Sequence, residues 1–108
     1  MFNNLDSILH SQTRLAIISI LMGVEEAEFT ALKEITKVSA GNLSLQLDKL
    51  KENEYITIQK DFKNKYPVTR CRITKKGILA FEDYVETLKQ YLDIKKLNLE
   101  NNYTLIYR

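Results

Sequence analysis

Apolar residues recur at helical spacing in four segments of the chain, each bounded by polar residues. The first segment, residues 12–22, has Ser11 as its predicted N-cap and Gly23 as its end, with Gly23 expected at positive φ. One face of this helix is predicted to point into a core, through Leu15, Ile18 and either Leu21 or Met22.

The second segment is short and follows an acidic stretch at residues 25–28. Its predicted N-cap is Thr30 and its predicted end is Lys37. A stub of strand containing Phe29 is expected before it. The residues predicted to be buried are Leu32 and Ile35.

The third segment, about residues 40–53, carries leucines on one side only. Ser39 is its predicted N-cap, and Val38 is expected to pack against the first leucine. The inward residues are Leu43, Leu47 and Leu50. The outward residues, too sparsely charged for ordinary solvated surface, are Gly41, Asn42, Ser44, Leu45 and Gln46. We therefore expect this face to receive a partner closely. A connection of about three residues joins the two short helices, the spacing of a helix-turn-helix.

Two segments of period-two alternation then predict a β-hairpin. The predicted strands are residues 55–62 and 68–73, and the polar turn between them, residues 63–67, ends at the only proline. In the second strand Cys71 and Ile73 share one face, while Arg70 and Arg72 share the other. Burying unpaired guanidinium groups is costly, so both arginines are expected to face water or phosphate. The alternative is pairing across the hairpin with Asp61 or Glu54.

The fourth segment is predicted to begin after the N-cap Thr74, with Ile73 and Ile78 packed at its start, and to run over residues 75–96. It carries a continuous apolar stripe formed by Phe81, Tyr84, Val85, Leu88, Tyr91 and Leu92. The rest of the domain is too short to cover this stripe, so a partner helix from a second copy is expected. The tail, residues 97–108, either folds back as a strand or packs across that dimer.

The composition limits the classes of protein that fit. A chain of 108 residues, 44% hydrophobic and 28% charged, suits one globular domain, residues 1–96, followed by a tail. The expected class is α+β and mostly helical. No apolar run reaches the ~20 residues of a membrane span, and no basic region precedes an apolar one at the start. A cytoplasmic protein without membrane contact is therefore expected.

The residues available for chemistry are few. One cysteine and one histidine cannot form a disulfide or a Cys/His metal cluster, so no cofactor or metal is expected. No nucleophile with a matching base, no carboxylate cluster and no phosphate-binding glycine loop is present, which makes an enzyme the least favoured class. Nothing in the sequence names a small-molecule effector.

Charge is unevenly distributed along the chain. Residues 33–76 contain eleven basic and five acidic residues, a net charge of +6, whereas the remainder carries −4, for a total of +2. A basic block of this kind is most often solvated surface, and it is also what a polyanion site requires.

Three groups of residues resemble a known family. They are residues 10–18, which resemble its opening helix, residues 41–44 with Leu47, Lys49 and Leu50, which resemble its recognition helix, and Tyr55, Ile56, residues 73–77 and Phe81, which resemble the flanks of its wing. Over about residues 5–92 the chain resembles the small stand-alone winged-helix transcriptional regulators related to the MarR and ArsR groups. The resemblance implies a winged helix-turn-helix at about residues 30–53 and 55–73, a C-terminal dimerisation helix and a DNA-binding homodimer.

In such a protein the third helix lies in the major groove of double-stranded DNA. The carboxamides of Asn42 and Gln46 can pair with adenine, Leu45 can contact a thymine methyl, Ser44 suits a base or phosphate, and Gly41 lets the backbone approach. Sequence-independent phosphate contacts are expected from Lys49, Lys63, Lys65, Arg70 and Arg72, with Thr30 and Lys33 on the preceding helix.

The chain also departs from its apparent relatives. Position 45 usually carries a small hydroxyl residue, position 46 often histidine and position 48 a basic residue, where this chain has Leu45, Gln46 and Asp48. A carboxylate so near the groove repels phosphates. The alternative function is a winged-helix protein-interaction module that uses Leu45 and the long helix as contact surface.

Overall fold

The structure is a computed structural model that describes residues 2–93, 104–106 and 108. In this part of the chain, four helices and a three-stranded antiparallel sheet form a winged-helix fold, which confirms the predicted class. The elements are α1 (Gln12–Met22), β1 (Ala27–Glu28), α2 (Phe29–Thr36), α3 (Ala40–Glu52), β2 (Ile56–Lys63), β3 (Tyr66–Ile73) and α4 (Lys75–Leu92). None of the described helices is long and apolar enough to cross a bilayer.

The core lies where the first three helices meet the inner face of the sheet. Its fully buried members are Leu9, Ile17, Ile18, Leu21, Leu32, Leu43, Leu50, Ile56 and Cys71. Each leucine or isoleucine among them contributes about 1.5–3 kcal/mol by leaving water. The inward leucines of α3 are confirmed, because Leu47 is also buried.

Three helices begin at the hydroxyl N-caps that the sequence predicts. Ser11 Oγ accepts from the Arg14 N–H, Ser39 Oγ from the Asn42 N–H, and Thr74 Oγ1 from the Gly77 N–H. Each hydroxyl satisfies a backbone donor that has no partner inside its helix.

The end of α1 differs from its prediction. Gly23 has a φ of −97°, not a positive one, and its N–H bonds to the carbonyl of Ile20. The helix therefore closes with a right-handed turn that does not require glycine. Of the two candidates for the inward position, Leu21 is buried and Met22 is exposed.

Helix α2 starts earlier than predicted. Its first residue is Phe29, so the predicted cap Thr30 lies inside the first turn, and the strand stub ends at Glu28. Ile35, predicted to be buried, is 60% exposed. The inward face instead continues from Leu32 to Thr36, whose hydroxyl bonds to the Leu32 carbonyl.

The hairpin turn is tighter than the predicted residues 63–67. Asn64 and Lys65 have φ angles of 52° and 68°, the signature of a two-residue type I′ turn. Lys63 and Tyr66 consequently pair across the strands, which brings Pro67 into β3. The strand order is β1-β3-β2, with Ala27 opposite Cys71.

The segment before α1 covers part of α4. The Tyr91 hydroxyl donates to the Asn3 carbonyl, and the Phe2 and Tyr91 rings lie 4.9 Å apart between centroids. Tyr84, predicted for the dimer stripe, is buried inside the subunit, with its hydroxyl 3.1 Å from His10 Nδ1. The expectation that the subunit leaves the whole stripe uncovered is thus wrong for this part of it.

Helix α4 ends at Leu92, and its predicted continuation over residues 94–96 lies outside the described residues. Most of the tail, residues 97–103 and 107, lies outside them as well. Residues 104–106 are described and form no helix or strand. The tail's predicted strand is therefore absent from these three residues.

Candidate nucleic-acid interface

No described residue covers the outward face of α3. Gly41, Asn42, Ser44 and Leu45 are exposed, as the leucine spacing predicts. Leu45 has 52% of its surface exposed, and a Cβ placed on Gly41 would meet no atom within 4 Å. The first two turns of α3 therefore present an open and nearly uncharged surface.

A chain of hydrogen bonds fixes the carboxamides on one flank of α3. Gln46 Oε1 accepts from Arg14 Nη1 at 2.6 Å, and Gln46 Nε2 donates to Asn42 Oδ1 at 2.9 Å. Arg14 is anchored in turn by its Nε, which donates to the Ile8 carbonyl at 2.6 Å. Gln46 is therefore half-buried and engaged, whereas the Asn42 amide nitrogen has no protein partner among the described residues.

The other flank of α3 borders a depression of about 260 Å³ between the helix and the sheet. Its lining residues are Phe29, Ser44, Leu47, Asp48, Ile58, Lys60 and Thr69. Lys60 and Thr69 are cross-strand partners, so both strands of the wing contribute to this wall. Two side chains of opposite charge, Asp48 and Lys60, thus face the same groove.

Lys60 lines this groove and was not among the contact residues predicted from the sequence. Side chains alternate along a strand, so Lys60 shares the α3-facing side of β2 with the core-facing Ile58. That period-two pattern was the available signal, and it separates Lys60 from its oppositely directed neighbours Gln59 and Asp61.

The two arginines on the outer face of β3 are held by carboxylates. Arg70 Nε lies 3.2 Å from Glu26 Oε2, and Arg70 Nη1 lies 3.1 Å from Asp61 Oδ2. Arg72 Nη2 lies 2.6 Å from Glu26 Oε1, and its Nη1 lies 3.6 Å from Glu25 Oε1. The acidic segment folds onto the sheet beside them, yet Arg72 faces water as predicted, with 50% of its side chain exposed, whereas Arg70 is only 23% exposed. Contact of either arginine with phosphate stays a prediction.

The alternative prediction, that the two arginines pair with acidic residues across the hairpin, is confirmed in part. Asp61 is a partner of Arg70, while Glu54 forms no ion pair with either arginine in the described part of the chain. Lys63, on the same outer face, lies 3.8 Å from Glu28 Oε2. The cations of this face are therefore neutralised within the subunit.

The remaining predicted contact residues stay on the surface. Within the described ranges no salt bridge engages them, and each is exposed: Thr30, Lys33, Lys49 and Lys65. They lie on α2, on the third turn of α3 and at the tip of the wing. The three lysines are therefore available to a charged partner from three elements of the helix-turn-helix and wing.

Two further features concern metal-binding and nucleophilic side chains. No group of three or more metal-binding side chains occurs in the part of the chain that is described. Burial raises the pKa of the Cys71 thiol to about 11, which keeps it protonated and unreactive at neutral pH.

Comparison with known proteins agrees with this geometry. Residues 13–92 match a family described as "Winged helix DNA-binding domain". An uncharacterized protein of Methanocaldococcus jannaschii, MJ0432, is 35% identical over 83 residues, which cover 77% of this chain and 90% of that protein.

Solved structures share the fold. The transcriptional regulator homologue protein from Pyrococcus horikoshii OT3 superposes with a TM-score of 0.74 at 26% identity, covering 80% of this chain and 85% of the other. A mutant of MarR from E. coli, complexed with operator DNA, gives 0.64 at 18% identity over 79% of this chain and 59% of the other. Family and fold are those of transcriptional regulators and not of enzymes. The chain belongs to the winged-helix DNA-binding domain family and has a MarR-like fold.

Proposed function

We propose that the protein is a transcriptional regulator that binds a specific double-stranded DNA sequence as a homodimer. The observation that carries this proposal is the bare outward face of α3, held by a three-residue connection to α2. A helix exposed in this way fits the major groove, which is wide enough to admit it.

Base readout is assigned to the exposed residues of α3. The Asn42 amide nitrogen is free to donate to a base, while its oxygen is bound by Gln46. Leu45 offers an apolar contact to a thymine methyl, Ser44 a hydrogen bond to a base or phosphate, and Gly41 room for the backbone. Gln46 acts chiefly by holding Asn42, because Arg14 already engages its oxygen.

Phosphate contacts are assigned to four lysines on α2, α3 and the wing that form no ion pair among the described residues. These are Lys33, Lys49, Lys60 and Lys65, with the Thr30 hydroxyl beside them. Lys63, Arg70 and Arg72 reach a phosphate only by leaving their carboxylates. The structural relative complexed with operator DNA supports a duplex as the ligand.

Selection from a random duplex library tests this function directly. An enriched motif is expected, and Asn42→Ala should relax the base preference at one position of that motif. This substitution leaves the helix cap Ser39 intact.

The salt dependence of binding to the selected duplex tests the phosphate contacts. The slope of log K against log salt should be about −0.9 per neutralised phosphate, and Lys60→Ala should make it less steep by ~0.9. Lys89→Ala, an exposed lysine on α4, is the matched control. Failure to enrich any motif contradicts the proposal, and an unchanged preference in Asn42→Ala contradicts the assignment of base readout.

A protein-interaction module is the second candidate, because Leu45 and Ile35 are large apolar side chains exposed by 52% and 60% near α3. Such a module would bind its partner with little dependence on salt. The same titration separates the two functions.

A further inference from the structure

The tip of the wing exposes two aromatic rings. Phe62, which is 71% exposed, lies one residue before the two-residue turn, and Tyr66, which is 75% exposed, follows the turn directly. Their place is fixed, because the turn residues Asn64 and Lys65 hold the strands in register. The hairpin therefore cannot fold either ring back onto the core.

The two rings lie on opposite faces of the hairpin. Alternation places Phe62 on the α3-facing side of β2, one step of two residues beyond Lys60, or roughly 6.6 Å along the strand. Its cross-strand partner is Pro67. Tyr66 shares the opposite face with Arg70, two register steps along β3. Phe62 thus ends a row of side chains on one face of β2 that begins at half-buried Ile58 and continues through Lys60.

The charges around Phe62 select an anionic partner. Lys60 shares the face of Phe62, Lys65 lies in the adjacent turn without an ion pair among the described residues, and the nearby carboxylate of Asp61 is already bound by Arg70. An apolar ring between lysines is complementary to a surface that offers apolar sugars and base edges between two rows of phosphate. The minor groove of DNA is such a surface.

We propose that Phe62 enters the minor groove and wedges into a base step, partly unstacking it and bending the duplex. This inference rests on the proposed DNA binding and deepens it, by assigning an apolar contact to the wing. Unstacking a step costs free energy, and this cost is offset because the bent duplex contacts more of the protein surface.

Three variants and the selected duplex test the wedge. Phe62→Ala should weaken binding about tenfold with an unchanged salt slope, while Tyr66→Ala, the matched aromatic on the other face, should change affinity less than about threefold. Phe62→Lys separates a wedge from a charge effect, because an added cation raises affinity if the contact is purely electrostatic. With a wedge, Phe62→Lys should bind more weakly than the parent protein.

The second readout is the DNA itself. 2-Aminopurine placed at steps on the edge of the footprint should brighten when the parent protein binds, and the signal should vanish with Phe62→Ala. All three substitutions are at exposed positions, and thermal melting confirms that each variant is folded. If Phe62→Ala binds with the affinity of the parent protein and gives the same rise in 2-aminopurine fluorescence, the wedge is contradicted, whereas the proposed DNA binding is not. If the parent protein binds no duplex, both proposals fall.

Discussion

Gly77 lets the first turn of α4 lie directly against the chain that leaves α3. A Cβ at this position would stand 2.3 Å from the Tyr55 carbonyl oxygen and 2.9 Å from Ile73 Cγ1. The Tyr55 oxygen cannot yield easily, because it is backbone and already accepts the Thr74 N–H at 3.0 Å. The close approach therefore leaves no room for a side chain at position 77.

We expect Gly77→Ala to lower the free energy of unfolding by about 1–3 kcal/mol, the usual cost of overpacking. The midpoint and slope of urea unfolding measure it. Gly41→Ala is the control, because nothing lies within 4 Å of its Cβ and alanine favours a helix. Equal effects of the two substitutions would show that the Tyr55 contact does not matter.

Tyr55 ties the segment before α1 to the rest of the fold. Its hydroxyl donates to Asp6 Oδ2, and burial, together with this carboxylate, raises its pKa to about 12. The folded chain therefore holds the phenol proton more tightly than the unfolded chain, whose value is near 10. The stabilisation is complete below pH ~10 and is lost as the pH rises towards 12.

Tyr55→Phe should thus be less stable than the parent protein at neutral pH, and the difference should shrink between about pH 10 and 12. Urea unfolding at several pH values measures both. Deprotonation of Cys71 affects the two proteins equally and cancels in the difference. A difference that stays constant to pH 12 would contradict the role of the phenol proton.

Asp48 places a carboxylate in the groove beside Ser44, where phosphates are expected to pass. Asp48→Asn should raise affinity for duplex DNA two- to fivefold, a typical effect of one exposed charge. The gain should fade at high salt. Glu86→Gln, on α4, is the control in the same binding titration, and an equal gain there would assign the effect to net charge alone.

At the residue scale, local chemistry was predictable and distant contacts were not. The caps Ser11, Ser39 and Thr74 follow from the hydroxyls that precede each apolar repeat. The role of Arg14 in holding Gln46 gives no local signal, because the two residues are 32 positions apart. The partners Glu26 and Arg72 are separated by 46 positions, which hid the neutralisation of the arginines.

At the scale of elements, β1 and the wing are joined by charge as well as by backbone pairing. Strand β1 has only two residues, and its ladder to β3 is correspondingly short. Glu26, next to it, binds both Arg70 and Arg72. The arginines therefore fasten the acidic segment to the sheet on the face turned away from α3.

Arg72→Ala should loosen β1 and leave the interaction with DNA phosphates largely unchanged. We expect faster amide hydrogen exchange at Ala27 and Glu28, a stability loss of no more than about 1 kcal/mol, and an unchanged slope of log K against log salt. A slope flatter by ~0.9 would show instead that Arg72 neutralises a phosphate.

Among the elements, the bounds of long periodic segments were predicted correctly, whereas those of the short helix α2 and of the hairpin turn were not. Helices α1 and α3 lie where their apolar repeats predict. The hairpin turn was predicted too long, since Pro67 is typical of a turn and Asn64-Lys65 lacks the glycine usual in a type I′ turn. Helix α2 has eight residues, too few for its spacing to distinguish Ile35 from Thr36 as the buried position.

At the scale of the whole molecule, the outward face of α3 and the far end of α4 are separate surfaces. The stripe on α4 is covered in part by Phe2 and Asn3, yet Leu92 remains 75% exposed among the described residues. Such a side chain at the end of a partly covered stripe fits an isologous contact with a second copy. Dimerisation would then bring two copies of α3 to one face of a duplex.

We expect Leu92→Asp to convert a dimer into a monomer, because each subunit would bury an unpaired carboxylate in the shared contact. Sedimentation equilibrium measures the mass, and Leu79→Asp is the matched control, since Leu79 is 56% exposed on the opposite side of the same helix. Two half-sites about 34–36 Å apart, one turn of DNA, should appear in the selected motif. Loss of the dimer should then weaken binding to the full motif and spare the affinity for a single half-site. A parent protein that sediments as a monomer, with a motif that lacks two-fold symmetry, would contradict the homodimer.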